Sequence, residues 1–484
     1  MGNDVTVVKR DGSIEPIDLD KVHRMVEAAC KDVAGVSESS VEMNSGLQFY
    51  DGITSKEIQS ILIKSAADLI SLESPNYQYV AARLLLFQVR KSVFNTKWKD
   101  SKIYPVLKDI VTSNINYGVY DEKLITYYND EEWEKLDSYI KHDRDFLFTY
   151  AGLRQIVDKY IVQDRSNGKL FESPQYMYML IASVLFKNYS EEKRLQYVKK
   201  YYDAISTFKI NIPTPIMAGI RTPLRQFASC VLVDSDDTLD SIFSSDMAIG
   251  RYVAQRAGIG INAGRIRGLG SKIRGGEVQH TGVIPFLKKF ESTVRCCTQN
   301  GVRGGSATVH FPIWHQEIED ILVLKNNKGS EDNRVRKLDY SIQISKLFYE
   351  RFLNNEDITL FSPHNVPDLY DAFGTEEFDE LYEKYERAYS IPKEKINAQQ
   401  LFMKLLKERA ETGRIYIMNI DHCNSHSSFF EDEAKISMSN LCQEITLPTT
   451  PLTSQRDEEG EIALCILSAI NVGSMSNDFK EMPE

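Results

Sequence analysis

The sequence predicts a mixed α/β protein with an all-helical part, and three textures along the chain carry that prediction. A short β hairpin followed by amphipathic helices opens it, and a long helical, tyrosine-rich stretch occupies the middle. From about residue 221, short β-like runs alternate with helical stretches, the pattern of an α/β sheet or barrel. A chain of 484 residues has room for such a division, since domains run to ~150 residues each.

The opening string VTVVKRDGSIEPI sets two β-rich runs around Asp11-Gly12, a strong hairpin signal. Asp18 can cap a helix in which Leu19, Val22, Met25, Val26 and Ala29 fall on one face. Thr54 and Glu57 form a capping box ahead of the stripe Ile58, Ile61, Leu62 and Leu69. A third helix is predicted over about 77–91. From about 101 to 220 the pattern is helical, with polar breaks at QDRSNG and NYSEE and no glycine-rich loop. After TPIMAGIRTP the predicted strands are SCVLVD, SATVHF, DITLFS, GRIYIMN and IALCIL. The last of these runs ends near Ile470 and only NVGSMSNDFKEMPE remains after it, so a closed barrel is expected to lack its later strands.

A formal net charge of -11 argues against a nucleic-acid backbone as the main partner, because neutralising phosphates takes a basic surface. The N-terminus lacks an apolar signal region and no stretch approaches the ~20 apolar residues of a membrane span. A cytoplasmic location is expected. The cysteines (Cys30, Cys230, Cys296, Cys297, Cys423, Cys442 and Cys465) are odd in number and widely spaced, unlike a secreted disulfide scaffold. His422-Cys423-x-x-His426 has no second ligand pair at zinc spacing, so no metal site is expected. GIGINAG lacks the G-x-G-x-x-G spacing, and no P-loop string occurs.

The most informative string is Ser439-Asn440-Leu441-Cys442-Gln443-Glu444-Ile445. In an extended segment side chains alternate, so an amide (Asn440), a thiol (Cys442) and a carboxylate (Glu444) would share one face. Taken alone, the string is more simply a half-buried strand with a structural cysteine. Its surroundings change that reading. SNLCQEI resembles the finger-loop motif of class I (class Ia-like) ribonucleotide reductase large subunits. RTPLRQFASCVLVDSDDTLDS, QRAGIGINAGRIRGLGS, NGVRGGSAT, ITLFSPHNVPDLYDAF and ALCILSAIN are similar to that family in the same order, as is the N-terminal KRDGS hairpin.

The resemblance implies an ATP-cone over 1–95, a helical domain over 96–220, and over 221–484 the first part of a ten-stranded α/β barrel, incomplete in this chain, with its finger loop near 440–444. It implies that Cys442 becomes the thiyl radical that abstracts the 3′ hydrogen of a ribonucleoside diphosphate. Glu444 would be the base for the 3′ hydroxyl, its pKa raised by partial desolvation, and Asn440 would hold the substrate hydroxyls. Cys230 and Cys465 would be the dithiol that reduces the 2′ position and closes to a disulfide, which requires Cα atoms ~4.4–6.8 Å apart. Thr214 and Ser229 would lie near the substrate.

For effectors, the resemblance implies dNTP binding by Asp237, Arg267, Arg274 and the loop from Gln299 to Arg303. ATP or dATP would be held by Lys9, Arg10, Glu15, Lys21, Ser55 and Lys91. Two departures bear on this second site: Gln59 stands where relatives often carry histidine, and Asp18 where they carry asparagine. A second carboxylate beside a triphosphate is repulsive.

The same resemblance implies no covalently bound cofactor in the chain and a radical supplied by a separate small subunit with a di-iron or related centre. A thioredoxin- or glutaredoxin-type reductant and homodimerisation are also implied. In the family the chain runs on past the equivalent of Cys465, with further strands, a substrate-phosphate loop, a tyrosine relay and a C-terminal cysteine pair. The expected reading is a large subunit split between two polypeptides, inactive as an isolated chain. A shortened full-length reductase and a non-catalytic nucleotide-binding module are the alternatives.

Overall fold

The computed structural model describes residues 5–46, 48–94, 104–298, 304–430 and 433–474. The chain forms two compact units, Met1–Phe227 with Ser468–Glu484, and Ala228–Leu467.

In the first unit, β1 (Thr6–Val8) pairs antiparallel with β2 (Ile14–Pro16) and parallel with β3 (Ile53–Thr54). The predicted hairpin turn is present, with Gly12 at φ +84°, a value glycine adopts without a Cβ penalty. Asp18 caps α1 (Leu19–Cys30) by accepting from the Lys21 amide, and Val22, Val26 and Ala29 are buried. Leu19, expected on that buried face, is exposed at the helix start. After α2 (Glu38–Gly46), which the periodicity does not announce, α3 (Ser55–Asp68) begins at the predicted capping box, both halves of which form. Helix α4 (Tyr77–Phe94) carries buried residues around much of its surface and packs on α3.

The rest of this unit is helical around the almost wholly buried helix Pro174–Phe186. Small antiparallel pairings add to it: β4 (Gln163–Asp164) with β5 (Lys169–Leu170), and β6 (Ile210–Asn211) with Ala469–Ile470. A fully buried ion pair, Arg221 with Glu172, ties segments together; Arg221 also donates to the carbonyls of Met217 and Tyr160. Burying two charges is tolerated when such partners satisfy them.

The second unit is built on a six-stranded sheet. β7 (Cys230–Asp234), β8 (Gly258–Asn262), β11 (Ala307–Pro312), β12 (Asp339–Ile344) and β15 (Ile415–Asn419) run parallel, and β16 (Ala463–Cys465) lies antiparallel on the outside of β7. Between β8 and β11, the short hairpin of β9 (Lys272–Ile273) and β10 (Val278–Gln279) projects as a separate pair. β7, β8, β11 and β12 are buried throughout, as parallel strands covered on both faces should be. On the outer face Val231, Val233, Ile259, Ile261, Val309 and Ile342 join one apolar core with the helices Leu239–Ala254, Ile284–Cys296 and Ala398–Thr412.

Two assignments differ from the sequence reading. DITLFS is a strand, β13 (Asp357–Phe361), but it pairs antiparallel with β14 (Lys393–Asn397) in a separate ribbon rather than joining the main sheet. Conversely GIGIN and DYSIQI, which alternate Ile or Tyr with small or polar residues and form no continuous apolar run, are central strands β8 and β12. Among the described residues the sheet is open, and no helix is long and apolar enough to cross a membrane.

Candidate active site

The loop 437–449 lies across the inner face of this sheet, and β8, β11, β12 and β15 each meet it at a defined point. On β8, Gly260 supplies the space: a Cβ there would stand 2.0 Å from the Ser439 carbonyl oxygen and 2.9 Å from the Asn440 Cα. From β11, Thr308 Oγ1 donates to the Leu441 carbonyl at 2.6 Å. His310 on the same strand is fully buried, its ring facing the backbone of Ser439 and Asn440, and burial pushes its pKa down to about 4. From β12, Ser341 Oγ donates to Gln443 Oε1 at 2.7 Å and Gln343 Nε2 donates to the Ser437 carbonyl at 2.5 Å. Gln443 Nε2 reaches the Ile417 carbonyl on β15 at 2.8 Å.

The segment is therefore a turn and not the extended run that the alternation argument assumed. Leu441 and Cys442 form the turn, and Gln443 sits at φ +67°, a left-handed conformation that costs a non-glycine residue roughly 1–2 kcal/mol. The bonds of its side chain to β12 and β15 hold it there. Cys442 stands exposed at the crown, with Arg414 and Tyr416 in its neighbourhood. Glu444 is exposed too, so the expected desolvation of its carboxylate is absent in this chain.

Convergence nevertheless occurs, on a different thiol. Asn440 is fully buried; its Nδ2 donates to Cys230 Sγ at 3.2 Å and its Oδ1 accepts from the Ile445 amide at 3.1 Å. Cys230 Sγ lies 4.0 Å from Glu444 Oε1. Across the β7–β16 ladder Cys230 and Cys465 are register partners, and the Ser229 amide donates to the Cys465 carbonyl at 2.9 Å. Directly opposed antiparallel residues have Cα atoms about 4.5–5.5 Å apart, inside the disulfide range of ~4.4–6.8 Å. Both are thiols here. The fold thus brings Ser229 and Cys230 together with Asn440, Glu444 and Cys465, more than two hundred positions further along the chain. Thr214 belongs to the first unit, where the Tyr160 hydroxyl lies 3.3 Å from its own.

A second cluster surrounds Asp237. Its carboxylate accepts from the Arg267 amide at 2.8 Å and from Arg267 Nε at 2.7 Å, and His364 Nδ1 stands 3.6 Å away. Arg274 is exposed between β9 and β10 at φ +51°. Gln299 and Arg303 lie outside the described residues.

In the first unit Lys9 pairs with Glu15 across the hairpin at 3.1 Å. The β1–β3 register ends with Val8 opposite Thr54, so Lys9 and Ser55 each follow the last paired residue at the same end of the two strands. Lys21 pairs with Asp18 at 3.4 Å, so the extra carboxylate is spent on the helix cap and its lysine. Arg10 is exposed in the turn, and Lys91 occupies the last turn of α4. Gln59 Nε2 donates to the Leu84 carbonyl at 2.7 Å, a packing role between α3 and α4.

Sequence reasoning missed Gly260, His310, Ser341 and the anchoring role of Gln443. A usable signal was present in Gly258 and Gly260: glycine inside a strand marks a close backbone approach.

Comparison with known proteins agrees along the chain. The ribonucleotide reductase barrel domain matches residues 228–483, the reductase all-alpha domain matches 146–225, and the ATP cone domain matches 5–92. The ribonucleoside-diphosphate reductase subunit alpha of Haemophilus influenzae is 52% identical over 99% of this chain and 63% of its own length. Reductase 1 subunit alpha of Escherichia coli is 54% identical over 93% of the chain and 59% of itself. The subunit alpha of Enterobacteria phage T4 is 45% identical over 96% of the chain and 61% of itself. The chain therefore spans less than two thirds of the length of these relatives.

Proposed function

Because the chain belongs to the ribonucleotide reductase family, we propose that it serves as the N-terminal part of a large catalytic subunit that reduces ribonucleoside diphosphates. The observation that carries this reading is the meeting of Cys230, Cys465, Asn440 and Glu444 beneath a loop whose crown is Cys442. In this reading Cys442 as a thiyl radical takes the 3′ hydrogen, Glu444 accepts the 3′ hydroxyl proton, and Asn440 orients the sugar. Cys230 and Cys465 deliver the protons and two electrons that replace the 2′ hydroxyl by hydrogen, ending as a disulfide. Ser229, beside Cys230, stands on the substrate side.

Asp237, Arg267, Arg274 and the Gln299–Arg303 loop would read a dNTP effector. Lys9, Arg10, Glu15, Lys21, Ser55 and Lys91 would bind ATP or dATP in an ATP-cone of residues 1–95, with a helical domain over 96–220 and a barrel part from 221. The open sheet supports completion by further strands: Leu464 and Ile466, at and just past edge strand β16, are 48% and 55% exposed, and an uncovered edge invites pairing. In this reading a second polypeptide carries those strands. The completed unit dimerises, receives its radical from a small subunit with a di-iron or related centre, and is re-reduced by a thioredoxin or glutaredoxin in the cytoplasm. A purely regulatory module has no chemical use for the cysteine constellation.

The test is co-expression with a polypeptide carrying the remaining barrel, followed by size exclusion and a diphosphate-reduction assay with radical subunit and reductant. Activity confined to the co-eluting mixture is expected. Steady turnover by this chain without the second polypeptide, or a monomer indifferent to every such partner, would overturn the split reading.

A further inference from the structure

Asp234 closes the strand that begins with Cys230. Alternate residues of a strand face the same way, so Cys230, Leu232 and Asp234 share the face turned toward the 437–449 loop. Cys230 meets the tip of that loop, whereas Asp234 meets its two limbs. Its Oδ2 accepts from Ser437 Oγ on the entering limb at 3.2 Å and from Thr449 Oγ1 on the leaving limb at 3.3 Å. The two hydroxyls are 3.3 Å from each other. Oδ1 accepts from Asn262 Nδ2 at 2.8 Å, and Asn262 is itself fixed by the Tyr370 hydroxyl at 2.9 Å and the Gly264 amide at 3.2 Å.

We propose that Asp234 is a positioning residue: it ties the entering and leaving limbs of the loop together and thereby holds Asn440 and Glu444 over Cys230. The chemistry performed at the tip rests on the reductase reading, but the clamp is a property of this chain alone.

Three observations carry it. Asp234 is only 1% exposed, and a buried carboxylate is tolerated only where donors and charge compensate it. The donors are hydroxyls on both sides of one loop. The charge comes from Arg265, which is held in place by Asp371 at 2.7 Å and lies over the Tyr370 ring at 4.5 Å. Burial pushes the Asp234 carboxyl up to about 6, and Arg265 opposes that shift. An apolar side chain would fill the same space at lower desolvation cost, so a carboxylate at this position is explained by what it bonds. Near the tip, Ser439 Oγ and Asn440 Oδ1 bond Ile445 across the loop; at its base the limbs meet at Asp234, whereas the sheet residues Thr308, Ser341 and Gln343 each hold a single point.

The test uses the full chain and needs no turnover, so its outcome is separate from that of the reductase reading. Cys230 and Cys465 are alkylated under native conditions and quantified by mass spectrometry, with amide exchange followed across 436–446. Asp234→Ala is expected to raise the alkylation of Cys230 relative to Cys465 by about tenfold or more, and to speed exchange in the loop. Exchange in β11 and β12 should stay unchanged. Asp234→Asn, which keeps the size and one acceptor, should restore part of the protection. Should Asp234→Ala fail to fold, Ser437→Ala combined with Thr449→Val removes both limb bonds and is expected to expose Cys230 in the same way. A folded Asp234→Ala chain, or a folded double variant, in which Cys230 stays as protected as in the parent overturns the proposal.

Discussion

Replacing Gly260 by alanine would put a methyl carbon 2.0 Å from the Ser439 carbonyl oxygen and 2.9 Å from the Asn440 Cα. Both contacts are with backbone, which cannot swing aside as a side chain can, so the loop must retreat by on the order of 1 Å to reach ordinary separation. A retreat of that size takes Asn440 Nδ2, now 3.2 Å from Cys230 Sγ, beyond hydrogen-bond reach. The overpacking cost is about 1–3 kcal/mol, and misplacement of ~1 Å at a reacting centre can lower turnover about a hundredfold. Urea unfolding of Gly260→Ala, with diphosphate reduction by the completed enzyme, measures both effects. Gly260 has an ordinary backbone conformation, absent from the positive-φ set. Were the space argument wrong, alanine would instead stabilise the strand by roughly 0.5–1 kcal/mol. A more stable variant with parental turnover would refute the reasoning.

Mild oxidation should join Cys230 to Cys465 without unfolding the chain, because register already sets them opposite; both remaining alkylatable after oxidation would contradict this. Calorimetry should detect triphosphate binding at up to two classes of site. Arg267→Ala should abolish one class and Lys9→Ala the other; binding unaltered by either would remove those residues from the sites. Acid should weaken the second unit through His310, whose folded pKa of about 4 lies below the ordinary histidine value of 6.5. The unfolded chain then takes up the proton first, so the stability this group contributes above pH 6.5 is lost as pH falls toward 4. Buried His315 acts the same way, while Asp234, raised to about 6, works in the opposite sense. By linkage, the drop from about pH 7 to about pH 5 costs about 2 kcal/mol through His310. Urea midpoints should therefore fall less steeply for His310→Asn than for the parent; identical slopes would show that His310 does not carry the dependence.

Much of the first unit was legible because local chemistry decides it. The Asp11-Gly12 turn, the Asp18 cap and the Thr54–Glu57 capping box are short-range devices, and they stand where the residues put them. In the second unit CVLVD and IYIMN were readable as strands from their apolar runs. GIGIN and DYSIQI form no such run, because Gly260, Asn262, Ser341 and Gln343 face the loop and are small or polar for that reason; their signal is the alternation with Ile259, Ile261, Tyr340, Ile342 and Ile344. Local pattern is expected to break where a site is being served. The partners of the loop were hidden likewise: nothing near Asn440 in sequence points to Cys230, and only strand register sets Cys465 opposite it. The alternation argument failed at Gln443, whose left-handed backbone is held by bonds to two strands lying far away in the chain.

The most direct measurement of the central claim is deoxyribonucleotide formation by the completed enzyme carrying Cys442→Ser. Replacing sulfur by oxygen leaves the loop's anchors at Thr308, Ser341 and Gln343 in place. The complex should therefore assemble and bind diphosphate as the parent does while forming no product. Turnover by Cys442→Ser at a rate comparable with the parent would contradict the assignment of radical chemistry to this chain.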